Sequence, residues 1–292
     1  MREPCRQSDS VEAMYKKILA AVNEHLNSEV AARYALHLAQ ELHAKLYICF
    51  VAEEGMPPHD RHVAEDAIQR LFDDALERNI QAESIAAAGD PLREIGKIVR
   101  QERIGLVFAS TRREDLEKRF YAGTVARSLS LKLPCSVALV RIAHSGRVRP
   151  GRILVPVKAR INRVRERAVF VSAMAKAFGA KVFVFHAPKP LEKIFSGEIH
   201  LTPPEWEERR SADIAHFMSH LKQRDIEHEG RHLPGGIARN ITVEAFAKRH
   251  DLIIMGASER SLLASLLNGS PVEQVLRETP CDLIILKPRH ED

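Results

Sequence analysis

The chain has 292 residues, 45% of them hydrophobic and 28% charged, which is enough for two domains of ordinary size with real cores. Aromatics make up only 5%, so the core must be built from Val, Ile, Leu and Ala, the material of a buried parallel sheet. The formal charge of 44 − 39 = +5 is spread along the chain, and with no RNP-like aromatic motif, zinc-finger spacing or basic zipper a nucleic-acid partner is not expected.

Taken in order, Ile18–Val22 is a short apolar, β-branched run and reads as a strand. Ser28–Leu42 carries Val30, Tyr34, Leu38 and Leu42 at helical spacing, with Ser28 as the expected N-cap. Leu46–Val51 is the next strand, 57–79 a charged amphipathic helix and Gln81–Ala87 a third strand. Asp90-Pro91 caps and opens a helix to Gln101. Leu106–Ala109 is strand four, Thr124–Leu131 a helix and Ser136–Ile142 strand five. The segment Ala143–Gly151 is polar and punctuated by Gly and Pro, and reads as a linker. The same alternation then returns: strand 152–157, helix 163–178, strand 181–187, helix 203–223, strand 226–232, helix 237–249, strand 252–255, helix 270–278, strand 282–287.

The return is a sequence repeat. Lys17–Val22 matches Arg152–Val157, and Ala44–Ile48 matches Ala180–Val184. Gly89–Arg141 aligns without a gap on Gly235–Lys287, an offset of 235 − 89 = 146 that places Gly123 on Gly269 and Pro134-Cys135 on Pro280-Cys281. Two βαβα units, residues 14–143 and 151–288, are therefore expected. Each is a parallel sheet covered on both faces and, because crossovers are right-handed, doubly wound.

Ligands of such sheets bind beyond the carboxyl ends of the strands, at the switch point between strand one and strand four. The strand-four loops run from Ser110 to Ala126 and from Gly256 to Val272. Each ends in Gly followed by Thr124 or Ser270 at a helix start, where free N–H groups and the positive end of the helix dipole receive anions.

These loops resemble those of the universal stress protein family. That family has a first strand ending in Val-Asp, a strand-four loop of the form G-x2-G-x9-G-[ST], and a Pro-Cys-Pro-Val-type fifth strand. Gly256, Gly269, Ser270 and Pro280-Cys281 match in the second half; Gly123, Thr124 and Pro134-Cys135 match in the first, and Gly89-Asp90-Pro91 resembles the family's Gly-Asp-Pro. The resemblance spans about residues 14 to 288. It implies five parallel strands per domain in the order 3-2-1-4-5, the adenine nucleotide alpha hydrolase-like fold. It also implies antiparallel pairing of 136–142 with 282–287 into an intramolecular pseudo-dimer, with a homodimer as a further expectation.

The resemblance implies an adenine nucleotide, ATP or AMP, as ligand, with Asn23, Arg113, Gly123, Thr124, Gly256, Gly269 and Ser270 as site residues. The departures matter. The family's adenine-reading Asp is Asn23 in the first half, which still offers an amide oxygen, and Lys158 in the second, which cannot accept. The middle loop glycine is Arg113, which favours phosphate, and Glu259, which repels it. The first loop glycine is Ser110 in the first half. One working nucleotide site at most is expected.

No nucleophile elbow, Walker A, kinase signature or Rossmann GxGxxG is present, and no general acid/base pair stands out, so the expectation is a non-enzymatic stress-response regulator tuned by an adenine nucleotide. Two alternatives stay open: an interaction scaffold with decayed sites, and a slow ATPase or autophosphorylating protein using Ser270 or Thr124. His216 and His220, four apart on a helix, with His228 and His232 nearby, are read as a solvated face rather than a metal site, and so are His59 and His62. Four scattered cysteines without CxxC, a polar Met1–Ser10 and an apolar stretch 168–188 broken by Lys176 and Lys181 point to reduced thiols, no signal peptide, no membrane span and a cytoplasmic location.

Overall fold

Strands made of unbroken apolar runs must be covered on both faces, and this chain supplies a helix after nearly every strand to do so. A computed structural model describes residues 15–111, 125–143, 146, 148–186, 211–232, 237–258 and 271–289. The first half contains β1 (Lys17–Val22), α1 (Leu26–Leu42), β2 (Lys45–Ala52), α2 (Pro58–Glu77), β3 (Ala82–Ala88), α3 (Pro91–Glu102), β4 (Leu106–Ser110), α4 (Val125–Lys132) and β5 (Ser136–Arg141). The second contains β6 (Arg152–Val157), α5 (Val164–Phe178), β7 (Lys181–His186), α6 (Ala212–Gln223), β8 (His228–His232), α7 (Ile237–Ala247), β9 (Leu252–Gly256), α8 (Pro271–Glu278) and β10 (Asp282–Lys287).

The strands form one ten-stranded sheet in the order β3-β2-β1-β4-β5-β10-β9-β6-β7-β8. Each half has the order 3-2-1-4-5, all parallel, and the halves meet where β10 pairs antiparallel with β5, Ile285 opposite Leu139. Helices α1, α2, α5 and α6 cover one face, where Tyr34, Leu71, Phe170 and Phe217 join the core. Helices α3, α4, α7 and α8 cover the other, with Ile95, Leu129, Ile241 and Val275. The linker is less polar in place than in sequence, since Val148 is buried in the first of these cores.

Local signals set most element ends. Asp90 accepts from Arg93 N at 2.8 Å and caps α3, and Gly89 before it sits at φ +132°, a conformation L side chains avoid. Ser28 is not the cap of α1: His25 is, and the buried Ser28 hydroxyl accepts from Asn23 N at 2.9 Å. The expected helix over 203–223 is described from Ala212, capped by Ser211; its earlier residues lie outside the described residues.

The seam between the halves is fastened by polar groups at positions related by the repeat. At the start of β10, Asp282 accepts from Tyr34 Oη of α1 at 2.7 Å and from Ala143 N at 2.8 Å. At the start of β5, Ser136 Oγ accepts from Arg289 N at 3.1 Å and bonds the buried carboxylate of Glu166 on α5, which also accepts from Tyr15 Oη at 3.0 Å. At the other strand ends, buried Lys287 donates to Leu133 O and Cys135 O at 3.0 and 3.2 Å, and buried Arg141 donates to Leu276 O. Each half thus sends a cation to the carbonyl end of the other half's last helix, the negative pole of that helix.

Removing the carboxylate at Asp282 leaves the Tyr34 hydroxyl and the Ala143 N–H buried without it. Asp282→Ala is expected to cost about 2–4 kcal/mol in urea unfolding. Two histidines give the molecule an acid-sensitive side. His37 on α1 lies 4.7 Å from the Phe178 ring of α5, and His250, buried, lies 4.8 Å from the Phe183 ring with neither ring nitrogen hydrogen-bonded. Burial first, then nearby arginines, pulls each down to about 4. The unfolded chain therefore binds more protons than the folded one between pH 4 and the ordinary histidine value of about 6.5. Stability is full above that window and is lost as pH falls through it; denaturant melts between pH 7 and 4 should show the fall, and replacing His250 with Leu should flatten it.

Candidate functional site

At the carboxyl ends of β1, β2 and β4 the first half contains a cavity of about 360 Å³. Its floor follows from strand register. Ala21 of β1 stands opposite Cys49 of β2 on one side and Ala109 of β4 on the other, so three small side chains share one row of the sheet. Val51, Ile95 and Leu129 add apolar walls from β2, α3 and α4, and Asn23, Glu24, Ser110 and Thr111 add polar groups from the loops after β1 and β4.

Asn23 is in the cavity wall. Its Oδ1 accepts from His25 N at 3.0 Å, an Asx-type turn that fixes the side chain and leaves the amide oxygen one lone pair for a ligand. Thr111, which the sequence reading did not single out, is 8% exposed, and its hydroxyl is buried without a hydrogen-bond partner. Its backbone N–H bonds Val140 O of β5 at 2.9 Å, which ties the cavity wall to the seam. Cys49 is held as a thiol, burial pushing it up to about 12, so it serves the floor as a small apolar group rather than as a nucleophile.

The second half differs at each matching position. Pro156 stands for Ala21, Phe185 for Cys49 and Met255 for Ala109; Pro156 pairs with Phe185 as Ala21 does with Cys49. Phe185 and Met255 are larger than Cys49 and Ala109 and are packed into the core with Ile241, Val272 and Val275. Ala257 replaces Thr111, and Lys158, in the place of Asn23, is exposed. The ladder is altered as well. β1 and β4 pair over four residues, but β6 and β9 over two, ending at Leu154, just short of Pro156, which has no N–H to give.

Gly256, the glycine at the start of the second strand-four loop, has a packing reason to be glycine. The Arg167 guanidinium of α5 lies against it so closely that a Cβ on Gly256 would fall inside the guanidinium, and Arg167 Nη2 donates to Ala257 O at 3.3 Å. Arg113, Gly123, Thr124, Gly269 and Ser270 lie outside the described residues, as does Glu259. Among the described residues no three His, Cys, Asp or Glu side chains come together as a metal site; the rings of His216 and His220 stack 4.5 Å apart on α6.

The Gly256–Arg167 contact is open to a double-mutant cycle. Gly256→Ala alone is expected to destabilise by about 1–3 kcal/mol through overpacking, and the same change in an Arg167→Ala background should cost much less, as read by chemical denaturation.

Comparison with known proteins agrees with this architecture. The family model described as the universal stress protein family matches twice, over residues 14–141 and 151–287. Universal stress protein YxiE of Bacillus subtilis (strain 168) is 28% identical over 148 residues, 44% of this chain and 100% of that protein. Among solved structures, a universal stress protein from Archaeoglobus fulgidus DSM 4304 superposes with a TM-score of 0.64 at 18% identity, covering 96% of this chain and 100% of that one. A functionally unknown protein from Pseudomonas aeruginosa PAO1 superposes with a TM-score of 0.62 at 17% identity, covering 96% and 95%. With both halves matched in tandem, the chain belongs to the universal stress protein family.

Proposed function

We propose that this chain is a stress-response regulatory protein whose first domain, residues 14–143, binds one adenine nucleotide, AMP or ATP, and whose second domain, residues 151–288, has lost that capacity. The observation that carries the reading is the cavity of about 360 Å³ above the row Ala21, Cys49 and Ala109. A flat aromatic base needs a shallow floor of small side chains and apolar walls, with a few polar groups to orient it, in a pocket of roughly 300–1,000 Å³. Val51, Ile95 and Leu129 supply the walls; Asn23 supplies an acceptor and Thr111 a hydroxyl. In the second half, Phe185 and Met255 occupy the matching row and Lys158 offers no acceptor.

The cavity is connected to the seam between the halves. Thr111 bonds Val140 of β5, and Val140 stands opposite Ile284 of β10, so a ligand that shifts the end of β4 acts on the seam.

Isothermal titration of the full chain with AMP and with ATP should give close to one site per chain. Ala109→Met, which copies the second half's residue, should abolish the heat while leaving the melting temperature near that of wild type. Binding without phosphate release separates a regulator from a slow ATPase. No heat at millimolar nucleotide would remove the reading.

A further inference from the structure

Helix α7 aligns with α3 at the offset of 146, and the two helices have the same pattern of buried and exposed positions. Where α3 turns Lys97 and Arg100 to solvent, α7 turns out Val243, 53% exposed, and Phe246, 76% exposed. The inward positions are exchanged as well: Ile98 and Ile104 of the first half are matched by the buried Glu244 and His250. The helix has kept its orientation on the sheet and presents apolar groups to water. Arg239 shares the stripe of Val243 and Phe246, and Lys248 and Arg249 follow at the helix end, with Lys248 in the place of Glu102. All three cations are exposed, and none is ion-paired among the described residues.

The first half has an opposite patch on α2. That helix aligns with α6 at the same offset, and the turns after them match, Asn79 at φ 56° and Asp225 at φ 58°. In its last turn α2 exposes Leu76, 54% accessible, where α6 has Lys222. Exposed Asp73 and Glu77 flank the leucine where α6 has Ser219 and Gln223. The nearby arginines are already used: Arg70 pairs with Glu29 at 2.8 Å and Arg78 with Asp74 at 2.6 Å. Asp73 accepts from the neutral amide of Gln69, and Glu77 has no ion-pair partner among the described residues. Two negative charges beside an exposed leucine are left for a partner.

Each patch departs from its repeat counterpart, and the two are complementary: an apolar anchor among cations on α7, an apolar anchor among carboxylates on α2. They lie on opposite faces of the sheet, so one chain cannot bring them together and a two-fold pair cannot satisfy both at once. Pairing α7 with α7 would set Arg239, Lys248 and Arg249 against their own copies. An anionic bilayer laid on α7 would also meet Glu278, exposed on the neighbouring α8. We propose that the α7 patch of one copy docks head to tail on the α2 patch of a second copy, Phe246 and Val243 against Leu76, with the cations facing Asp73 and Glu77.

The test is sedimentation velocity of the full chain, without nucleotide, over the micromolar range. Wild type should grow beyond the monomer with concentration, less so as salt is added. Phe246→Arg and Leu76→Lys, which copy the residues of α3 and α6, should each stay monomeric with an unchanged melting temperature. Mixed one to one, they should form a heterodimer and stop there, since the first keeps the α2 patch and the second the α7 patch. Should either variant fail to fold, Lys248→Glu, which copies Glu102, should weaken association about tenfold, and Glu77→Lys in the same chain should restore it. A wild type that is monomeric throughout, association that survives both substitutions, or a mixture that stays monomeric would each overturn the proposal. So would a monomer that co-sediments with phosphatidylserine vesicles and loses them in Phe246→Arg, which would assign the α7 patch to a membrane. None of these outcomes depends on whether the first half binds AMP or ATP, so the two readings stand or fall separately.

Discussion

A five-stranded parallel sheet has two edges, and an edge strand as apolar as Ser136–Arg141 or Asp282–Lys287 cannot lie bare in water without recruiting another chain. Here the two apolar edges are laid against each other. Among the described residues the outer strands are β3 and β8, with the sequences AESIAAA and HEGRH, which are far less apolar than β5 and β10. The hydrophobic pairing is non-directional by itself; the register comes from polar groups around it. Asp282 with Tyr34 and Ala143 fixes one end, Glu166 with Tyr15 and Ser136 fixes the other, and Arg141 and Lys287 each reach into the opposite half. A buried cation, hydroxyl or carboxylate left without its partner costs more than a mismatched methyl group, so these contacts exclude slipped registers that the apolar strands alone would tolerate.

Once the halves are locked together, they are no longer under the same constraint. Both still have to provide a seam strand and two covered faces, and both do. The first keeps an open crevice. The row Ala21, Cys49 and Ala109 keeps it in the first half, while the larger Phe185 and Met255 are packed in the core at the matching positions of the second half. Filling a cavity of this kind is stabilising, because each added methylene in a well-packed site removes apolar surface from water. The retained cavity in the first half therefore represents stability forgone.

The alternation of short apolar runs with 3.6-periodic segments made the succession of strands and helices readable, the gap-free match of Gly89–Arg141 with Gly235–Lys287 made the duplication readable, and the spatial strand order came from the family resemblance. The position of Asn23 just past a strand was readable too, because the strand's apolar run ends at Val22. The cavity floor was not. Ala21, Cys49 and Ala109 lie in three different strands, and nothing in linear order says that they share a row until β1–β2 and β1–β4 register is known. Thr111 was hidden for a related reason: a threonine after a strand is unremarkable until its hydroxyl is found buried without a partner. Ser28 went the other way. As a serine at a helix start it fits the N-cap pattern, yet its hydroxyl is spent on Asn23 N, holding the loop that presents Asn23.

Gly256 shows how a motif residue can persist after the chemistry around it has changed. A glycine at the end of strand four lets a ligand's phosphate approach the backbone, and the same missing Cβ lets a guanidinium approach it. From sequence the two uses are indistinguishable, since both ask only that nothing project from that Cα. They differ in which face of the sheet the empty space opens onto. Gly256 belongs with Val155, Ile254 and Leu286 around the void on the α5 side, whereas the matching crevice of the first half opens on the side of α3 and α4. In the second half the missing Cβ of Gly256 is used by the Arg167 guanidinium, so packing alone accounts for a glycine at this position.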